Sequence, residues 1–201
     1  SDISLANAFA RTIQTFGGLD IVVVNAGNAR RGTVADTDDS DYEFLANLLM
    51  RAYFQTMREA AKIMIAQATG GSIVVVASKN AVAAGSNAAV YSAAKAFELH
   101  LMRTAANDLA QHGIRANAVN PDAVLSGSGI WSDQWRDETA RSLGIAPEKL
   151  EEHYRKRSLL GLNVRPEDVA EAIAWLCSPA ASRTTGAAIP VDAGVREGFL
   201  R

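Results

Sequence analysis

Four short aliphatic runs, set between longer helical patterns, constrain this chain more than any other feature of its sequence. The first is Leu19-Asp20-Ile21-Val22-Val23-Val24, nearly continuous in apolar residues and rich in β-branched ones. A strand buried on both faces has this appearance. Ser72-Ile73-Val74-Val75-Val76-Ala77 is a second run of the same type, Ile114 to Asn120 is a third, ended by Pro121, and Ala187 to Val191 is a short fourth. Between them lie stretches with apolar residues at three- and four-residue spacing, which predict amphipathic helices. These cover residues 4 to 16, 41 to 68 and 89 to 111, each followed by a glycine or glycine pair, and Pro166 to about Cys177. Pro166 at the first turn, with Glu167 and Asp168 beside it, suits a helix start. Residues 28 to 40 and 79 to 88 read as loops, and 122 to 160 as irregular with helical turns.

Strands alternating with helices predict βαβ units and a parallel sheet covered on both faces. In such sheets ligands bind outside the carboxyl ends of the strands. Asn25-Ala26-Gly27, Ser78 and Asn120-Pro121 occupy those ends, so a site is expected there before any motif is considered.

Composition narrows the function classes. The chain has 201 residues, 48% hydrophobic and 21% charged, with a formal net charge of -2. That is enough apolar content for a core and shows no basic footprint of a nucleic-acid binder. Cys177 is the only cysteine, so no disulfide forms within the chain, and its apolar setting marks it as core filler. The three histidines have no metal-ligand spacing, and no metal is expected. Nothing reads as a signal peptide or as an apolar run long enough for a bilayer, so a soluble cytoplasmic protein is expected. Arg155-Lys156-Arg157 reads either as a solvated helix face or as an anion contact near a substrate loop.

Tyr91 and Lys95 carry the clearest chemical signal. Four residues apart in a predicted helix, they share one face. A free tyrosine titrates near pH ~10, and a neighbouring ammonium favours the phenolate. Such a pair can build a general acid/base, although a surface Tyr beside a surface Lys is the common outcome of this spacing. Ser78 ends the second strand thirteen residues before Tyr91. From there a hydroxyl can hold a substrate carbonyl while Tyr91 moves the proton; by itself a serine there would be a cap or turn residue.

Ser78 followed by Tyr91-Ser92-Ala93-Ala94-Lys95 resembles the catalytic signature of the short-chain dehydrogenase/reductase family. Asn25-Ala26-Gly27 resembles the motif that supports the sheet beside that family's cofactor. Asn117-Ala118-Val119-Asn120-Pro121 resembles the segment that meets the nicotinamide end, and Thr185-Gly186 with Asp192-Ala193-Gly194 the C-terminal strand and turn. The resemblance runs in order over nearly the whole chain. It implies a Rossmann-type, doubly wound parallel α/β sheet and hydride transfer between NAD or NADP, with NAD slightly ahead, and a small alcohol or carbonyl compound. Ser78, Tyr91 and Lys95 are the implied catalytic residues. Asn25, Ala26, Gly27, Tyr91, Lys95, Pro121 and Asp122 are the implied cofactor contacts. A homo-oligomer is implied, packed through helices 41 to 68 and 89 to 111, whose apolar faces could otherwise cover only their own sheet.

More narrowly, Ala77 to Val82, Asn120 to Val124, Gly127 to Trp131 and Val195-Arg196-Glu197 resemble a bacterial branch that joins a class II aldolase-like domain to a C-terminal dehydrogenase domain. That branch implies a small hydroxyaldehyde or sugar phosphate as substrate. The alternative is a non-catalytic fragment or assembly module of such a bifunctional protein.

The sequence departs from the family in three places. No strand with a G-x-x-x-G-x-G turn precedes the Asn-Ala-Gly motif, and the chain opens on Ser1 directly into a helical pattern. Residues 1–201 therefore read as a single partial domain, the catalytic half, lacking the first strands of the sheet. Leu49 falls where many members carry an Asn that holds a water in the proton relay, with Asn47 two residues off. Asp122 follows Pro121 where most members have Gly, and either serves the site or caps a turn. Residues 125–160 take the place of the variable substrate loop, with Trp131, Trp135, Tyr154 and Arg155 as the residues to watch.

Overall fold

In a computed structural model, residues 2–199 are described, and side chains from Ser4 onward. Helix α1 (Asp2–Phe16) leads into strand β1 (Ile21–Val24). Helix α2 (Asp39–Leu45) continues through a π-helical stretch (Ala46–Arg51) into α3 (Ala52–Gln67). Strand β2 (Gly71–Val76), helix α4 (Ala89–Leu109) and strand β3 (Ile114–Pro121) follow. The long return to the sheet contains α5 (Asp133–Leu143), α6 (Leu150–Arg157) and α7 (Pro166–Cys177) before β4 (Ala188–Val191). The four strands are parallel in the order β1-β2-β3-β4.

Strand alternation sorts the core into two layers. Val22, Val24, Ile73, Val75, Ala116 and Ala118 point to one face, where Leu49, Tyr53, Met57, Leu99 and Met102 from the π-helical stretch, α3 and α4 cover them. Val74, Val76 and Val119 point to the other face, where Val169 and Leu176 of α7 pack with Val164. This second layer does not reach β1. Ile21 and Val23 are 48% and 41% exposed, so the first aliphatic run is buried on one face only, contrary to the expectation of burial on both.

The helices linking β1 to β2 and β2 to β3 lie on one face, while α7, linking β3 to β4, lies on the other. Strand order steps in one direction throughout, so the third crossover has the opposite hand to the first two. With those right-handed like nearly all such units, the third is left-handed. Its 66-residue span, from Asp122 to Ala187, gives the chain length to make that turn. Asn117 pins the return: buried within β3, it donates from Nδ2 to the Thr184 carbonyl (2.9 Å) and accepts from the Ala187 amide (3.1 Å). Two strand-disfavoured features, a buried Asn and Pro121 at the last position, thus sit where the ladder meets its neighbour loop.

Candidate active site

The carboxyl ends of β1, β2 and β3 open into one cleft of about 1150 Å³. Asn25, Ala26, Gly27, Ser78, Tyr91, Lys95, Pro121 and Asp122 all line it, so the structure brings every expected site residue to one place. They arrive from four separate stretches of chain. Ser78 follows β2 and caps a short 3-10 turn (Lys79–Ala81), its Oγ accepting from the Asn80 amide at 3.1 Å. Tyr91 and Lys95 lie on the first two turns of α4. Its start is tied to the loop after β1, because the Gly32 amide donates to Asn87 and the Ala89 amide donates back to Gly32. That tie brings Tyr91 back toward the end of β2, close enough to Ser78 for the serine hydroxyl to favour its phenolate.

Electrostatics at the cleft floor differ from the sequence expectation. Burial pushes the Tyr91 phenol up to about 12; the Ser78 hydroxyl pulls it down, and the charges of Glu98 and Asp122 push it further up. Lys95 does not present a lone cation to it. The Lys95 Nζ donates to Glu98 Oε2 (2.9 Å), Glu98 Oε1 (3.2 Å) and the Val76 carbonyl (3.1 Å), which occupies all three of its protons. Burial lowers the Lys95 amine, opposed by Glu98. Tyr53 stands below, its ring 5.3 Å from Nζ and its hydroxyl 3.3 Å from the same Val76 carbonyl. Glu98 and Tyr53 were not singled out from the sequence. The signal for Glu98 was available: an acid three residues after Lys95 lies on the same helix face.

Asn25, Ala26 and Gly27, the motif expected to support the sheet beside a cofactor, are exposed along the cleft wall. A Cβ on Gly27 would stand 3.6 Å from Leu49 Cδ2 and 3.9 Å from Lys95 Nζ, within the space in front of the lysine. Glycine leaves this space in front of Lys95 Nζ open. Leu49 is fully buried beside it and Asn47 is exposed and outside the cleft, so the position read as a water-holding Asn is apolar here. The π-helical stretch that carries Leu49 has no signature in the sequence; such bulges are frequent near functional sites.

The opposite wall comes from residues 125–160. Trp131 meets Tyr154 edge to face at 5.5 Å, and Arg31 stacks on Trp135 at 4.5 Å while donating to the Thr139 hydroxyl. Arg157 pairs with Asp122 and lies 4.9 Å from the Tyr154 ring. The basic run therefore splits: Arg157 faces the cleft, whereas Arg155 is exposed outside it and Lys156 pairs with Glu152. Lys79, also in the lining, has its amine pushed down by burial, against an upward pull from Asp122. Among the described residues no group of three or more metal-type ligands occurs, and no helix is long and apolar enough to cross a membrane. Cys177 is partly buried against the α7 layer.

Comparison with known proteins agrees with this geometry. A family model described as enoyl-(acyl carrier protein) reductase matches residues 1–196. The uncharacterized oxidoreductase YuxG of Bacillus subtilis is 50% identical over 195 residues, 97% of this chain and 28% of that protein. L-rhamnose 1-dehydrogenase (NAD(P)(+)) of a Sphingomonas species is 36% identical over 188 residues, 92% of this chain and 68% of that one. The crystal structure of sorbitol-6-phosphate 2-dehydrogenase SrlD from Erwinia amylovora superposes with a TM-score of 0.90 at 26% identity, covering all of this chain and 77% of that one. The chain spans little more than a quarter of YuxG and about two thirds of the rhamnose dehydrogenase. On fold, site layout and these relationships together, the chain belongs to the short-chain dehydrogenase/reductase family.

Proposed function

We propose that this chain carries the proton-transfer machinery of an NAD(P)-dependent dehydrogenase acting on a small hydroxy or carbonyl compound. The observation that carries the reading is the convergence of Ser78, Tyr91 and Lys95 in the lining of one cleft. Ser78 holds the reacting oxygen. Tyr91, a neutral phenol at rest, gives its proton to a carbonyl oxygen in reduction and recovers it from the hydroxyl in oxidation. Lys95 borders the space left open at Gly27 and fixes the electrostatics of that proton transfer. When bound, the nicotinamide supplies or accepts the hydride. Asn25, Ala26, Gly27, Pro121 and Asp122 would hold its ring and ribose, and nothing in these residues selects NAD over NADP.

Residues 1–201 are proposed as a dehydrogenase unit whose 125–160 segment determines the substrate. Arg31, Lys79 and Arg157 in the lining support a polar, oxygen-rich substrate such as a hydroxyaldehyde or sugar phosphate. We further propose that the unit is joined to a second, aldolase-like domain; the 50% identity to a segment of the much longer YuxG supports a longer parent protein. Exposed Tyr42, Phe44, Phe54 and Ile65 along α2 and α3 support assembly with a second copy. Replacing Tyr91 by Phe in the full-length protein should cut turnover by about 10³-fold with the circular dichroism spectrum unchanged. Retention of most of the activity would sink the assignment.

A further inference from the structure

Asp122 follows Pro121 at the end of β3, where its carboxylate could either serve the site or cap a turn. The structure decides against a cap. The Asp122 amide donates to the Val191 carbonyl (3.3 Å), while its carboxylate turns to Arg157, the last residue of α6, and accepts from Nη2 through Oδ2. Among the described residues no other group is hydrogen-bonded to that carboxylate, so Oδ1 is left for a donor from the cleft. The Asp122 side chain is 12% exposed and that of Arg157 31% exposed, and both residues line the cleft. Nor is the pair the only tie on α6: just beyond the helix, the Leu159 and Leu160 amides donate to the Gly194 and Ala193 carbonyls, each at 3.0 Å. We propose that the Asp122–Arg157 pair is a specificity element that reads a substrate hydroxyl on the carbon next to the reacting one.

The pair stands between the reacting groups and the variable wall. Toward the reacting groups, the Asp122 carboxylate is close enough to act electrostatically on Tyr91 and on Lys79, the residue after Ser78. Toward the wall, the Arg157 guanidinium lies 4.9 Å from the ring of Tyr154, which meets Trp131 edge to face. A substrate whose oxygen is held at Ser78 and Tyr91 presents its neighbouring carbon to this pair. Charge then selects what that carbon carries. A hydroxyl suits both partners, because it donates to the carboxylate and accepts from the guanidinium. An anionic group would meet the carboxylate, and the guanidinium that could attract it is already compensated. A methyl group would take water from both ions and return no hydrogen bond, which is costly. A site built in this way separates a hydroxyl from its apolar isostere more sharply than an apolar pocket does. Because Asp122 is held at a strand end by its own amide, the carboxylate is fixed to the sheet rather than to a loop. The cofactor contact proposed for Asp122 falls to its main chain, and the side chain is the part that reads substrate.

The inference rests on the reading of Ser78 and Tyr91 as the groups that hold the reacting oxygen, and its test is a ratio of two substrates, so the two can fail separately. Glycolaldehyde and propanal differ only in bearing a hydroxyl or a methyl on the carbon next to the carbonyl. Reduction of each by NADH and by NADPH would be followed in the full-length protein and in its Asp122→Ala variant. The unaltered protein should prefer glycolaldehyde by about 50-fold in kcat/KM, the scale of a hydrogen bond to a charged group. In Asp122→Ala the preference should fall to about threefold, through loss on glycolaldehyde alone. A pair that only braces α6 would, when broken, slow both aldehydes alike, and an unchanged ratio overturns the inference. So does an unaltered protein that shows no preference for glycolaldehyde or reduces neither compound. Activity retained in Tyr91→Phe sinks the reading of the reacting groups instead, whereas an unchanged ratio beside an inactive Tyr91→Phe sinks the inference alone. Should Asp122→Ala not fold, Asp122→Gly, which places there the residue most family members carry, decides by the same ratio.

Discussion

The two faces of the sheet differ in thickness and in task. The face under α3 and α4 is a continuous layer from β1 to β3, with Leu49, Tyr53, Met64 and Met102 almost wholly enclosed. Tyr91 and Lys95 are side chains of that layer's own helix, so the packing that stabilises the fold also sets the chemistry. The face under α7 is thinner, ends before β1, and is reached by the oppositely handed crossover. Its long connection supplies Trp131, Trp135, Tyr154 and Arg157, which shape the cleft mouth. The proposed catalytic groups thus stand where the core is deepest and the proposed recognition groups where it is shallow, as expected if proton transfer needs fixed geometry and substrate choice needs a replaceable wall.

Substitutions that probe each face should break this contrast or sharpen it. The largest loss of stability is expected for Met102→Ala, about 4 kcal/mol in denaturant unfolding, because the surrounding layer has little room to collapse. Leu176→Ala on the thinner face should cost less, about 2–3 kcal/mol, since α7 can settle toward the sheet. Equal losses would mean that both layers are equally rigid. Ser78→Ala should leave stability nearly unchanged and lower kcat by about 10²-fold, the scale of one lost donor to a developing oxyanion. A change in KM alone would move Ser78 from chemistry to binding.

At the cleft mouth, Arg31→Ala should raise KM by about tenfold with little effect on kcat, through loss of the stack on Trp135 and the bond to Thr139. A fall in kcat of the same size would tie the wall to catalysis and erase the division of labour. The smallest effect is expected for Val23→Thr. Its side chain lies on the uncovered side of β1, so unfolding should shift by no more than about 0.5 kcal/mol. A cost of 2 kcal/mol or more in the full-length protein would show that another segment covers β1 there.

Much of the site was legible because its parts are local. Tyr91 and Lys95 are set by a helical spacing of four, and Ser78 and Asn25 to Gly27 by their positions at the ends of aliphatic runs. The parallel sheet followed from the alternation of elements, since a strand's partner in a βαβ unit is fixed by the helix between them. Burial of β1 on both faces was misread because a run such as Ile21 to Val24 reports only hydrophobicity, not whether a second layer extends that far. The π-helical stretch was invisible, as one extra residue in a helix turn leaves the apolar pattern of residues 41 to 68 intact.

The sequence by itself determined the sheet type, the strand ends and the candidate acid/base pair, because each rests on periodicity or on short-range spacing along the chain. Tertiary structure alone decided how deeply Lys95 and Glu98 are enclosed and that the Val76 carbonyl takes the third Lys95 proton. It also decided which of the three residues Arg155, Lys156 and Arg157 faces the cleft, and on which side of the sheet α7 lies. Those outcomes depend on which distant stretches of the chain are brought together and on how much water is excluded between them, and neither quantity is written in any local pattern.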